Sequence, residues 1–132
     1  LPEKLKKYQF NIPPEQMHDA LYYATIYVGE GGTTASEAAI LGTPAVYVNN
    51  LTMGYINDEK EAGLLFQNTS FKKIIEFIDQ ILSTGKGVYL ELCDRLIKHK
   101  IDPTEFLVWF MENYPDSASK IKQSTTYSKE IA

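Results

Sequence analysis

Apolar positions along the chain recur at two spacings, and the change from one to the other marks its elements. Tyr8, Phe10 and Ile12 alternate, which predicts a short half-buried strand closed by Pro13-Pro14. Met17, Ala20, Leu21 and Ala24 then repeat at i, i+3, i+4, i+7 and predict a helix over 14–24, with Pro14 in its first turn. Thr25 to Val28 is uncharged, β-branched and aromatic, as expected of a strand buried on both faces. Gly29-Glu30-Gly31-Gly32-Thr33-Thr34 predicts a glycine turn, with Thr33 or Thr34 capping the helix that follows. Ala35, Ala38, Ala39 and Gly42 give that helix a small-residue face, Gly42 ends it, and Pro44 forbids its continuation.

Pro44 to Val48 reads as a second buried strand and Asn49 to Ala62 as a polar loop with a helical turn within 57–62. Gly63 to Phe66 reads as a further strand and Asn68-Thr69-Ser70 as a cap. A helix over 71–83 is expected to bury Phe71, Ile74, Ile75, Ile78, Ile81 and Leu82, and Gly85-Lys86-Gly87 breaks it. A helix over 88–99 has Leu92, Leu96 and Ile97 on its expected core side. Asp102-Pro103-Thr104-Glu105 is a start signal, with Asp102 as cap, for a helix over 103–113 that is apolar all round. From 116 to 132 the composition turns to Ser, Thr and Lys and predicts a flexible tail.

Strands alternating with helices predict an α/β fold, a Rossmann-like parallel sheet of three to four strands with right-handed crossovers, over residues 1–114. So small a sheet followed by an all-apolar helix, in a chain that begins without methionine, reads as part of a larger structure. The net charge of −4 argues against nucleic acid or an anionic membrane as partner, since both call for a basic face. No apolar run is long enough for a membrane span. Cys93 is the single cysteine, which fits a reducing, cytoplasmic setting. His18, His99 and Cys93 have no metal-ligand spacing, so no metal is expected.

The glycine turn carries the candidate chemistry. No lysine follows it, as a Walker-type loop requires, and the spacing is not that of the dinucleotide fingerprint. A turn at a helix start nonetheless leaves N–H groups at Gly32, Thr33 and Thr34 that can hold a phosphate. Glu37 is four residues after Thr33 on the same face, and a carboxylate there can accept from the two hydroxyls of a ribose. The alternative is a turn that only packs helix on sheet. On the residues alone, His18 reads as a helix-surface histidine with a ligand-facing role as the alternative, Glu30 as an exposed turn residue with a catalytic carboxylate as the alternative, and Tyr22, Tyr23, Tyr27 and Tyr47 as packing residues rather than ligand stackers.

Three runs carry a resemblance: Met17 to Ala24, Val28 to Ala39, and Leu41-Gly42-Thr43-Pro44-Ala45. Together with Ile101 to Phe106 they resemble the C-terminal domain of GT-B glycosyltransferases. They are most similar to the DUF354 family of bacterial and archaeal glycosyltransferases, related to UDP-N-acetylglucosamine 2-epimerases and the MurG transferase. The resemblance implies that Gly31, Gly32, Thr33 and Thr34 lie at the diphosphate of a nucleotide-sugar donor, a substrate rather than a cofactor, and that Glu37 holds the ribose. It places Met17 and His18 toward the base, and Glu30, Asn49, Asn50 and Thr52 in the base or sugar vicinity. MurG-like enzymes carry glutamines where this chain has Asn49, Asn50 and Thr52. The resemblance also implies a separate N-terminal domain as partner; Trp109 is expected at the interface with it, which predicts an exposed apolar patch or a homodimer in this chain. It assigns no catalytic residue here and leaves an epimerase or a non-catalytic interaction module as the other readings.

Overall fold

The computed structural model describes residues 2–123 of the 132-residue chain. It divides into two compact units, one up to Ile97 and one from Lys98. The first is an α/β layer built on a three-stranded parallel sheet. Its strands are β1 (Tyr27–Gly29), β2 (Ala45–Tyr47) and β3 (Leu65–Gln67), in the spatial order β1-β2-β3. Tyr27 pairs with Ala45 and Gly29 with Tyr47, while Ala45 pairs with Leu65 and Tyr47 with Gln67.

Strand alternation divides the core in two. Tyr27, Ala45, Tyr47 and Leu65 face one cluster, which includes Leu21 from α1 (Met17–Tyr23), Ala35 and Ala38 from α2 (Gly32–Ile40), and Ile56 from α3 (Gly54–Glu61). Ile26, Val46, Val48, Leu64 and Phe66 join the other. There they meet Ile74, Phe77, Ile78 and Ile81 from α4 (Phe71–Thr84) and Tyr89, Leu92, Cys93 and Leu96 from α5 (Lys86–Lys98). Helices thus cover both faces. The two crossover helices, α2 and α3, share one face, as strands added in sequence by crossovers of one hand require. Ala35 and Ala38 carry no side chain beyond Cβ, and both are fully buried, so α2 lies close on the sheet.

The end of α2 fixes its position. Gly42 adopts φ +78°, its N–H donates to Ala39 O at 3.0 Å, and Thr43 N–H donates to Ala38 O at 2.9 Å. This is the paired closure in which the residue after the helix is left-handed. Thr43 Oγ1 is buried and donates to Leu21 O at 2.7 Å, tying the end of α1 to the end of α2.

Several expectations are corrected. Tyr8 to Ile12 is not a strand: Glu3–Tyr8 is a 3-10 helix, the residues after it are irregular, and Tyr8 and Phe10 are exposed. Alternation alone does not make a strand without a neighbour to bond to. The sheet therefore has three strands among the described residues. β1 is not buried on both faces, because it is an edge strand and Val28 is 45% exposed. The helix over 14–24 is a 3-10 turn, Pro14–Gln16, running into α1. The polar loop contains the two-turn helix α3, anchored by Ile56 and Glu59 at i, i+3. In α4 the buried stripe is Ile74, Phe77, Ile78 and Ile81, while Phe71, Ile75 and Leu82 are exposed. In α5 the fully buried positions are Tyr89 and Cys93, and Ile97 is exposed. Gly85 ends α4 at φ +80° as expected, but Lys86 and Gly87 already belong to α5.

The second unit holds α6 (Pro103–Glu112) and α7 (Asp116–Gln123). Asp102 Oδ1 caps α6, accepting from Thr104 N–H at 2.7 Å and Glu105 N–H at 3.1 Å. Leu107, Val108 and Met111 on the all-round apolar α6 are exposed. Residues 116–123, expected as tail, form α7, whose Ser117 is buried and donates to Phe110 O at 2.7 Å. The rest of the expected tail, 124–132, lies outside the described residues. No helix among the described residues is long and apolar enough to cross a membrane.

Candidate functional site at the start of α2

β1 ends at Gly29, and the chain turns through Glu30 and Gly31 into α2 beside the C-terminal end of β2. In open α/β sheets that end of the strands is where ligands bind. Gly31, not a threonine, is the N-cap: it is extended at φ −81°, ψ 108°, and no side chain caps the helix. Thr33 and Thr34 lie inside the first turn, correcting the expected cap. A glycine already extended at position 31 lets the helix begin at Gly32. Ala35 N–H is bonded to Gly31 O at 2.9 Å, so the preceding N–H groups of Gly32, Thr33 and Thr34 are the turn's unpaired donors.

Two tyrosines back the turn. Tyr27 Oη donates to Gly31 O at 3.5 Å. Burial raises the Tyr27 phenol above its ordinary pKa, opposed by its contacts with Gly31 and Thr34. On β2, Tyr47 is 1% exposed, and a Cβ on Gly32 would stand 3.2 Å from its Oη and 2.8 Å from Met53 Cε. Position 32 is therefore closed to side chains.

Glu37 lies further along α2 with its side chain 40% exposed, and His18 Nε2 on α1 is 3.9 Å from Glu37 Oε1. His18, Ser36, Glu37, Ile40 and Leu41 line an open depression of about 280 Å³. The structure thus brings His18 and Glu37 together, two residues that sequence places far apart. Met17, in the same helix turn as His18, is exposed and does not line that depression.

The loop residues Asn49, Asn50 and Thr52 have unequal surroundings. Asn49 Oδ1 accepts from the N–H groups of Asn50 at 2.7 Å and Leu51 at 3.1 Å, a local turn. Its Nδ2 donates to Glu30 O at 3.5 Å. Gln67 Nε2 donates to the carbonyls of Asn49 (2.9 Å) and Leu51 (2.8 Å), while its Oε1 accepts from Lys60 Nζ at 3.0 Å. Asn49 is thus committed to shaping the loop and holding the glycine turn. Asn50, Thr52 and the side chain of Glu30 are exposed.

Sequence reasoning missed one pair. Ser36 Oγ donates to Glu59 Oε1 across α2 and α3, and Glu59 is 2% exposed with Oε2 buried and without a partner. Burial, and to a smaller extent the charge of Asp58, push the Glu59 carboxyl up, against the lowering effect of the Ser36 bond. The only signal in the sequence is the spacing of Glu59 from Ile56, which places an acid on the buried face of a helix. Cys93 is buried, its Sγ donates to Ile40 O at 3.0 Å, and burial raises its pKa, so it is unsuited to nucleophilic work. No group of three or more potential metal ligands occurs among the described residues. Comparison with protein families, curated proteins and solved structures finds no match to this chain.

Proposed function

We propose that the start of α2 binds the diphosphate of a nucleotide sugar, as the donor-binding part of a GT-B-type glycosyltransferase. Gly31, Gly32, Thr33 and Thr34 supply the phosphate cradle, and Glu37 accepts from the ribose hydroxyls. The observation that carries this reading is the placement of Glu37. Its carboxylate is half-exposed, beside His18 and an open depression, on the helix whose N-terminal donors are unpaired. Those donors and the positive end of the helix favour an anion. A ribose joined to that anion would lie further along the same helix, where a carboxylate is the acceptor it needs. Asn50 and Thr52 stand on the donor-sugar side. A second Rossmann-like domain supplies the facing wall and the acceptor site, so this chain alone is expected to bind donor without turning it over.

A calorimetric titration of the chain with UDP, UDP-N-acetylglucosamine and GDP-sugars tests the assignment. Saturable binding of a nucleoside diphosphate, weakened by Glu37→Ala, supports it; no heat with any of them at millimolar concentration overturns it for this chain. Product analysis on a protein carrying both domains separates a new glycosidic bond from an epimerised sugar.

One observation favours a purely structural turn: the fit of Tyr47 and Met53 against Gly32 explains that glycine by packing alone. That reading predicts that Glu37→Ala changes neither ligand binding nor the fold. It leaves the half-exposed Glu37 beside the depression without a role.

A further inference from the structure

Tyr47 is nearly sealed inside the sheet–helix layer, at 1% exposure, yet its hydroxyl has no hydrogen-bond partner among the described residues. Of their side-chain nitrogens and oxygens, only Glu59 Oε2 is both cut off from solvent and unpartnered. The Tyr47 hydroxyl is unpartnered but not cut off, so the trace of exposure this residue keeps includes Oη. It opens beside Gly32, 3.2 Å from where a Cβ would stand, at the residue that begins the helix. A Cβ there would also press on Met53 Cε at 2.8 Å, and a side chain at position 32 would cover the Tyr47 hydroxyl. A tyrosine used only for packing gains nothing from its hydroxyl, and phenylalanine would fill the same core volume.

We infer that Tyr47 Oη is a further ligand donor, contributing a hydrogen bond to a phosphate oxygen held at the Gly32–Thr34 turn. The inference rests on the proposed diphosphate site and adds to it a donor from the sheet, where the others all come from the helix backbone. A phenol has one O–H to give, and a phosphate oxygen can accept it together with a backbone N–H. Charge on the acceptor makes this a strong bond of its type. The donor set then surrounds the anion from two elements, which a helix terminus alone does not do.

The test uses Tyr47→Phe in the full chain, with inorganic pyrophosphate and UDP as probes. Urea unfolding is measured first, and it should show Tyr47→Phe at least as stable as wild type, since no protein bond is lost. Affinity for both probes should fall by about tenfold, in the range for a hydrogen bond to a charged group. A second readout needs no variant affinity. In protein labelled at tyrosine Cζ, the Tyr47 signal, assigned by its loss in Tyr47→Phe, should shift on adding pyrophosphate. Wild-type affinity in Tyr47→Phe with an unmoved Tyr47 signal, while the amides of Gly32, Thr33 and Thr34 respond, overturns the role of Tyr47 and leaves the site standing. If neither the amides nor the Tyr47 signal respond in wild type, the diphosphate site itself fails and this inference with it.

Discussion

Replacing Gly42 by alanine should weaken the fold by about 2–5 kcal/mol, and the structure separates two sources of that loss. The first is conformational. Gly42 sits at φ +78°, where a side chain costs about 1–2 kcal/mol. The second is steric. The added Cβ would stand 2.5 Å from Leu90 Cδ2 and 3.3 Å from its Cγ, so the Leu90 side chain must shift. Overpacking of that kind costs about 1–3 kcal/mol. Gly85 supplies the control: it has φ +80°, and nothing lies within 4 Å of its virtual Cβ. Gly85→Ala should therefore show only the first loss. Equilibrium urea unfolding of the two variants, compared at equal m-value, isolates the steric part as their difference. Gly42→Ala in a Leu90→Ala background should recover much of it, because the side-chain clash is then gone. The reasoning is refuted if Gly42→Ala and Gly85→Ala unfold at the same urea concentration. A fold total of about 5–15 kcal/mol makes the larger loss plain to see.

Other expectations concern the site and its supports. Glu59 is held above its ordinary value of 4.5 by burial, so its contribution to stability is fully present below that value and is lost as pH rises through its raised folded value. Wild type minus Glu59→Gln should then show stability falling with rising pH by up to about 1.4 kcal/mol per pH unit in that window, measured by urea midpoints; a flat difference contradicts it. Thr43→Val removes the bond to the Leu21 carbonyl, which keeps only the Ala24 N–H at 3.2 Å, and should destabilise by about 0.5–1.5 kcal/mol in the same assay, with no loss being the contrary outcome. Glu37→Gln should weaken UDP binding several-fold while leaving pyrophosphate binding unchanged, since only UDP carries a ribose; equal losses for both would sink the division of roles. Cys93 should react with a thiol reagent only at the rate of unfolding, and fast labelling of native protein would show its burial to be wrong.

What the sequence reveals about the fold follows from where the residues act locally. Gly42, Pro44, Asp102 and Gly85 punctuate the chain through their own backbone chemistry, so the ends of α2 and α4 and the start of α6 were readable. β2 was readable because a central strand is buried on both sides and its residues are all apolar. β1 has the same kind of sequence but lies at the sheet edge, and burial of an edge depends on neighbours that composition does not name. Tyr8 to Ile12 failed for a related reason, since alternation needs a partner strand. The face of α4 was misjudged by a fraction of a turn: six apolar residues cover more arc than one sheet can bury, and the buried stripe takes in Phe77 while Phe71 is exposed. Of the candidate site, the glycine turn at the helix start and Glu37 on the same helix were legible from local spacing. The approach of His18 to Glu37, the Ser36–Glu59 pair and the Tyr47 hydroxyl beside Gly32 all join separate elements, and no local spacing encodes them.

The most direct test of the central claim is a backbone-amide NMR titration of the ¹⁵N-labelled chain with UDP. Diphosphate binding at the turn should give saturable shifts that begin with the amides of Gly32, Thr33 and Thr34 and extend along α2 to Glu37, reversed on removing the nucleotide. A folded chain in which those amides stay unmoved at millimolar UDP, or in which shifts appear only elsewhere, would contradict it.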